Sequence, residues 1–200
     1  LVDDTGAVLP GTTALAAVAC LALRAKPGGT IAAPVTQSHV LEKIAERYGG
    51  QVLRTKVDPA SLMTAATRDG VVLAGDGEGG FAFPQFQPAV DGMMAMAKIL
   101  ELLATQGVAL SQVVRELPAC HMASVKIACP WEEKGRVMRL LNEQYRETRG
   151  RQIDGIKLEM GEEWVLILPD PDRPLFYVYA ESFSDEQANT LAEKYAGIVR

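Results

Sequence analysis

The 200-residue chain has only two histidines and three cysteines. Cys20, Cys120 and Cys129 are odd in number and fit neither a disulfide framework nor a zinc pair. That points to a reducing compartment, with thiols serving as small apolar side chains. Neither His39 nor His121 has a Cys or carboxylate at metal-ligand spacing, so a surface or capping role is expected of both. A long hydrophobic run is also missing. The apolar stretch 14–23 is Ala-rich and stops at Arg24, well short of the ~18–20 residues that span a bilayer. No basic leader opens the chain, where Asp3 and Asp4 stand instead. Positive charge is in deficit, with 20 Lys+Arg against 25 Asp+Glu and a net charge of -5. This argues against nucleic acid or an anionic membrane as the main partner, since both reward a basic face. A cytoplasmic location is expected. The chain lacks an initiating Met and starts as if within a strand, so it reads as a piece of a longer polypeptide.

What is present suits a folded protein. Hydrophobic residues make up 48% and charged residues 22%, enough to bury a core in one ordinary domain or two small ones. The first half alternates short apolar strands with helices. A hairpin around Asp4-Thr5-Gly6 precedes a helix over 12–25, capped by Thr12 or Thr13 and ended by Pro27-Gly28-Gly29. Strands are expected at 30–35, 51–57 and 71–73, with helices at 38–48 and 59–68 between them. Asp91 should cap a long helix to about residue 104, whose buried face is expected to include Met93, Met94, Met96, Ile99, Leu100 and Leu103. One more short helix starts at Ser111 and ends before Pro118. Alternation of this kind indicates βα units and a sheet covered on both faces. From residue 121 the order becomes β-α-β-β-β-α, with strands at 121–128, 153–160, 164–168 and 175–181. The helices are expected at 131–149 and 184–199, the second capped by Ser184 with Gln187 at the capping-box position. That order suits an antiparallel sheet with two helices on one face. The expected organisation is an α/β domain over 1–117 and a small α+β domain over 121–200.

Two loops could carry chemistry. Gly75-Asp76-Gly77-Glu78-Gly79-Gly80 lets backbone approach a ligand closely and offers two carboxylates. Carboxylates suit sugar hydroxyls or a cation and repel phosphate, and no Gly-Lys-Ser/Thr of a P-loop follows. A flexible turn explains the same residues. The second loop is Leu168-Pro169-Asp170-Pro171-Asp172-Arg173-Pro174, whose prolines fix its shape and remove N–H donors. It reads as a stiff hairpin connection or, less directly, a cation site. Arg54-Thr55-Lys56 at a strand end could meet an anion or simply be solvated. The charged run 131–149 reads as a solvated helix face.

Taken together, these segments resemble the C-terminal half, the third and fourth domains, of the α-D-phosphohexomutase family, the phosphomannomutase/phosphoglucomutase enzymes. The carriers are Val2-Asp3-Asp4-Thr5-Gly6, Val35-Thr36-Gln37-Ser38, Arg54-Thr55-Lys56-Val57, and Phe83-Pro84-Gln85-Phe86 before Asp91-Gly92. In the last third they are Asp154-Gly155-Ile156-Lys157, the run from Trp164 to Pro169, and Pro174-Leu175-Phe176. The resemblance implies an intramolecular phosphotransferase acting on hexose phosphates. It would use a phosphoserine and a magnesium loop that belong to two upstream domains of the polypeptide, so this chain would not catalyse alone. No catalytic or metal residue is expected within it, and magnesium only if the upstream loop is intact. The family's sugar loop Gly-Glu-x-Ser-Gly falls here on Gly75, Asp76, Glu78 and Gly79. In its phosphate loop Arg-Pro-Ser-Gly-Thr-Glu-Pro, the Arg becomes Leu168, the Ser Asp170, the Gly Pro171, the Thr Asp172 and the Glu Arg173. Both loops are therefore expected to be degenerate. A second reading is a non-catalytic regulatory or oligomerisation module, of the kind fused behind a mannose-1-phosphate guanylyltransferase. Expected partners are the upstream domains, a hexose phosphate and, in the second reading, further copies of the chain.

Overall fold

The computed structural model describes residues 1–146 and 152–199. The described chain divides into two compact units, Leu1–Ala119 and Cys120–Arg200.

In the first unit, α1 (Gly11–Ala25) follows an N-terminal hairpin closed by a bridge between Val2 and Val8. Pro10 is the residue before α1 and no side chain caps it, so neither Thr12 nor Thr13 is the cap expected from sequence. Fixed φ makes proline an effective helix opener. There follow β1 (Thr30–Pro34), α2 (Val40–Arg47), β2 (Gln51–Thr55), α3 (Pro59–Ala66), β3 (Val71–Gly75) and β4 (Phe81–Ala82). The unit ends with α4 (Gly92–Gln106) and α5 (Leu110–Arg115). The sheet order is β2-β1-β3-β4, with β1 parallel to both neighbours and β4 antiparallel to β3.

The layers follow from side-chain alternation. Ala32 of β1 and Ala74 of β3 pack with Leu62, Ala65 and Ala66 of α3 on one face. Gly75 lies on the other face, where a Cβ would come within 2.4 Å of Leu15 Cδ1 in α1. This glycine lets α1 lie directly on β3. Helix α1 is buried all along residues 14–23, which explains its uniformly apolar sequence.

Two carboxylates cap helices as expected of Asx residues. Asp58 accepts from Ser61 N–H at 2.7 Å and Asp91 from Met94 N–H at 2.9 Å. A third works over a long sequence distance. Asp4 in the N-terminal hairpin accepts from the backbone N–H and hydroxyl of Ser111 in the first turn of α5, both at 2.9 Å. Those bonds hold its carboxyl below the usual aspartate value. The burial of α4 departs from expectation. Ala95, Ile99 and Leu102 are its buried residues, while Met93, Met96 and Leu100 are exposed.

The second unit holds β5 (His121–Ala128), α6 (Trp131–Gln144), β6 (Ile156–Met160), β7 (Glu163–Pro169), β8 (Leu175–Ser182) and α7 (Asp185–Val199). Its sheet is antiparallel throughout, in the order β5-β8-β7-β6. Residues 147–149, the end of the helix expected from sequence, lie outside the described residues. Ser184 Oγ accepts from Gln187 N–H at 3.2 Å, the first half of the expected cap. Ile127, Ile156, Val165, Ile167, Phe176 and Val178 on one sheet face share a core with Leu141 of α6 and with Ala188, Ala192 and Ala196 of α7. The fold is thus an α/β unit followed by an antiparallel α+β unit with two helices.

Both tryptophans, Trp131 and Trp164, belong to the second unit, so their fluorescence reports its unfolding alone. Ile167 is fully buried. Ile167→Ala is expected to lower that unit's stability by about 2–5 kcal/mol in a denaturant titration followed by tryptophan emission. A loss under about 1 kcal/mol would mean that the sheet–helix core is not the organising contact of the unit.

Candidate functional site: two loops at strand ends

The glycine loop leaves β3 at its C-terminal end and returns into β4. In open α/β sheets this edge is where ligands approach. Asp76 organises the loop. Its Oδ1 accepts from Glu78 N–H at 2.7 Å and Gly80 N–H at 2.9 Å, and its own N–H donates to Gly80 O at 3.2 Å. A Cβ on Gly80 would come within 2.3 Å of the Asp76 carboxylate. Gly75 supports the loop from inside the sheet, whereas Glu78 and Gly79 are exposed at its tip. Glu78 is therefore the loop's outward carboxylate, while one Asp76 oxygen is engaged by the turn itself.

The loop rests on Gln37, in the turn after β1. Gln37 Nε2 donates to Asp76 O at 2.9 Å, and Gln37 Oε1 lies 3.4 Å from the hydroxyl of Thr12. A Cβ on Gly77, whose φ is +77°, would collide with the Gln37 amide at 2.2 Å. A Cβ on Gly11, at the start of α1, would sit 1.8 Å from Gly77 O. Arg54 of β2 fixes the Gln37 turn in its place. Its guanidinium donates to Pro34 O at 3.1 Å, Gln37 O at 2.9 Å and Ser38 O at 2.8 Å, and pairs with Glu42. The planar fork suits several fixed acceptors at once. Of the two sequence readings for Arg54, an anion contact and a solvated end, neither describes it: its donors face carbonyls and one carboxylate of its own unit.

The second loop, residues 170–174, is the β7–β8 hairpin tip. Three of its five residues carry an N–H, and all three donate internally. Asp170 N–H donates to Leu175 O at 3.0 Å. Asp172 N–H and Arg173 N–H donate to Asp170 Oδ1 at 2.8 and 2.9 Å. Pro171 and Pro174 have none. The Asp172 amide, helped by Arg173, holds the Asp170 carboxyl below the usual aspartate value.

Lys134 of α6 holds the tip from below. Its ammonium donates to Asp170 O at 2.6 Å and to Arg173 O, and it lies 3.9 Å from the centroid of the Trp131 ring. Lys134 is only 9% exposed. The solvated helix face expected for 131–149 therefore fails at this residue. Trp131 three positions earlier was the signal available, since an aromatic at i−3 can cover a lysine stem. Gln37 gave no comparable signal, because its partner lies 39 residues away.

Each loop is set in its own unit. His121 Nδ1 lies 2.8 Å from Asp185 Oδ1 at the first turn of α7. Among the described residues, no group of three or more His, Cys, Asp or Glu side chains converges as a metal site. No helix among them is long and apolar enough to cross a membrane.

The family model described as "Phosphoglucomutase/phosphomannomutase, alpha/beta/alpha domain III" matches residues 11–121, more than half of the chain. The chain belongs to the phosphoglucomutase/phosphomannomutase family. Its α/β unit is thus the family's domain III, with the layers described above. Among similar proteins, a probable phosphoglucosamine mutase of Methanopyrus kandleri is 32% identical over 188 residues, covering 93% of this chain and 42% of the relative. A phosphoglucomutase/phosphomannomutase of Thermococcus kodakarensis is 30% identical over 195 residues, covering 96% and 42%. A solved phosphoglucomutase/phosphomannomutase family protein of Burkholderia thailandensis superposes with a TM-score of 0.79 at 20% identity, over 99% of this chain and 43% of the other. An Aspergillus fumigatus N-acetylphosphoglucosamine mutase, solved with GlcNAc-6P and magnesium, superposes with a TM-score of 0.69 at 13% identity. The chain spans less than half the length of the curated relatives it matches.

The state of Asp170 gives a pH prediction. A carboxyl whose folded pKa is depressed stabilises the tip above its unfolded pKa of about 3.9 and ceases to do so as pH falls through the folded value. The Asp172 and Arg173 amide resonances are expected to keep their neutral-pH positions down past the ordinary aspartate value and then move together, in a ¹H–¹⁵N NMR titration. A midpoint at or above the ordinary value would contradict the bonds assigned to Asp170.

Proposed function

We propose that the chain is the C-terminal half of a phosphoglucomutase/phosphomannomutase-like protein of sugar-phosphate metabolism in which the last domain no longer grips phosphate. This half then carries out no phosphoryl transfer by itself. The observation that supports the reading is the β7–β8 tip, whose three backbone donors are already engaged within the turn. Where the family's loop has two hydroxyls, the tip has the carboxylates of Asp170 and Asp172, which accept only. An incoming phosphate dianion meets two negative groups in place of two donors. Arg173 is the only cation among the tip residues, and the Lys134 ammonium below is turned to carbonyls.

The glycine loop keeps a different capability. Glu78 stands exposed beside Gly79, and a carboxylate accepts hydrogen bonds from sugar hydroxyls. The ligand class that fits is a hexose recognised through its hydroxyls, with the phosphate held elsewhere. Magnesium, where the family uses it, would be held by upstream domains, and the described residues provide no donor set for it.

The same tip suits a second reading, a non-catalytic regulatory or oligomerisation module, including one fused to a mannose-1-phosphate guanylyltransferase. Both readings share the lost phosphate grip and differ in the polypeptide that accompanies this half.

Isothermal titration with glucose 6-phosphate and mannose 1-phosphate tests the reading. The chain is expected to show no saturable heat up to about 10 mM ligand, corresponding to less than about 3 kcal/mol of binding. The triple variant Leu168→Arg, Asp170→Ser, Asp172→Thr is expected to gain saturable binding. Saturable binding by the unaltered chain with Kd below about 1 mM, abolished by Arg173→Ala, would refute the proposal.

A further inference from the structure

Strand β2 ends its sheet, and among the described residues only β1 pairs with it. Gln51 N–H donates to Gly29 O at 3.1 Å, and Thr55 O accepts from Val35 N–H at 3.0 Å, so both residues face β1. Strand alternation turns the backbone N–H and C=O of Val52 and Arg54 the other way, onto the open edge. A cleft of about 330 Å³ lies beside that edge. Residues 53–56 form one wall, and the small side chains of Ala60, Ser61 and Thr64 in α3 form the other.

A cation stands at each end. Lys56 follows the last residue of β2. Arg68 lies at the opposite end, two residues before Gly70, whose carbonyl accepts from Thr30 N–H at 2.8 Å, and Thr30 is level with Gln51. Both are exposed and line the cleft. Among the described residues neither forms an ion pair or a side-chain hydrogen bond, and no carboxylate lines the cleft. Asp58, the carboxylate on which the Lys56 charge acts, already accepts from Ser61 N–H. In a chain of net charge -5 this edge is a local strip of positive charge.

We infer that the β2 edge is a docking site for an extended acidic peptide, which joins the sheet as a further strand. The backbone of Val52 and Arg54 supplies the hydrogen bonds, and the α3 wall takes alternate side chains of the peptide. Lys56 and Arg68 select acidic residues near its two ends. A strand rises about 3.3 Å per residue, so a segment of about six residues spans the edge. A second copy of the chain fits worse. Two like strands related by a two-fold axis pair antiparallel, which sets the Lys56 end of each against the Arg68 end of the other, and facing like charges destabilise such a pair. This inference concerns the first unit alone and stands or falls independently of the phosphate reading.

Titration of the chain with acetyl-Glu-Thr-Val-Thr-Val-Glu-amide, followed by ¹H–¹⁵N NMR, tests it. Saturable binding with Kd of about 1 mM or lower is expected at low salt. The Val52 and Arg54 amides are expected to move, and to exchange with deuterium at least about five-fold more slowly in the complex. Replacing both Glu of the peptide by Lys is expected to weaken binding by about ten-fold or more, and so is the double variant Lys56→Glu, Arg68→Glu. Circular dichroism checks that the variant folds. A fully N-methylated peptide keeps its charge but has no N–H to give the edge, and is expected to leave those amides unprotected. No saturable movement up to about 5 mM peptide would overturn the inference and leave the two cations as guards of an unused edge. Equal binding of the N-methylated peptide would overturn it too, reducing the strip to charge attraction. Protection of the Val52 and Arg54 amides in the peptide-free chain, lost on dilution, would overturn it by assigning the edge to a second copy.

Discussion

The Asp170 carboxylate accepts the amide protons of Asp172 and Arg173, while the buried Lys134 ammonium ties the Asp170 and Arg173 carbonyls from the other side. These contacts give the β7–β8 tip a shape that needs no ligand. Backbone amides at a turn attract anions when they point outward and unpaired. Here a side-chain anion already takes two of them, prolines remove two more, and the last closes the hairpin. The tip's three backbone donors are thus engaged within the turn itself, which is the observation the proposed loss of a phosphate grip rests on.

The rest of the second unit does not depend on what the tip binds. Its core lies on the sheet face that α6 and α7 cover, and the tip contributes nothing to it. A hairpin tip can therefore exchange hydroxyls for carboxylates without endangering the fold. The first unit behaves otherwise. Its glycine loop is built into the packing, through Gln37 below it and Gly11 beside it, and Arg54 fixes Gln37 in turn. Losing the Arg54 fork would take one donor from each of three carbonyls, of which Pro34 O and Ser38 O keep a backbone N–H from Gln37 and Leu41. The shape of the glycine loop is thus held by stability as well as by any ligand.

Much of this was legible in the sequence, for definite reasons. Asp91 announced its helix because capping is local chemistry, and Pro59 marked the first turn of α3 in the same local way. The strand at His121–Ala128 fell at the expected residues, and the change from βα alternation to successive strands separated the two architectures. The failures share one cause, partners distant in sequence. Helix α4 is apolar on more than one side, so periodicity could not choose between Ala95–Leu102 and Met93–Leu100 as the inward set; contact with α1 decided it. Thr12 and Thr13 offered caps that Pro10 made unnecessary. Lys134 read as one more charge on a solvated helix because the carbonyls it meets lie 36 and 39 residues on. The glycine loop and the acidic tip were both visible as compositions. The direction of their donors and acceptors was not, because that is set by main-chain geometry.

The most direct measurement of the central claim is the response of the Asp172 and Arg173 backbone amides to glucose 1-phosphate at neutral pH, followed by ¹H–¹⁵N NMR. Amides already bonded to Asp170 should keep their positions through millimolar ligand. Saturable movement of both resonances, fitted by a single dissociation constant, would mean that a phosphate can displace the carboxylate and that the tip still grips its anion.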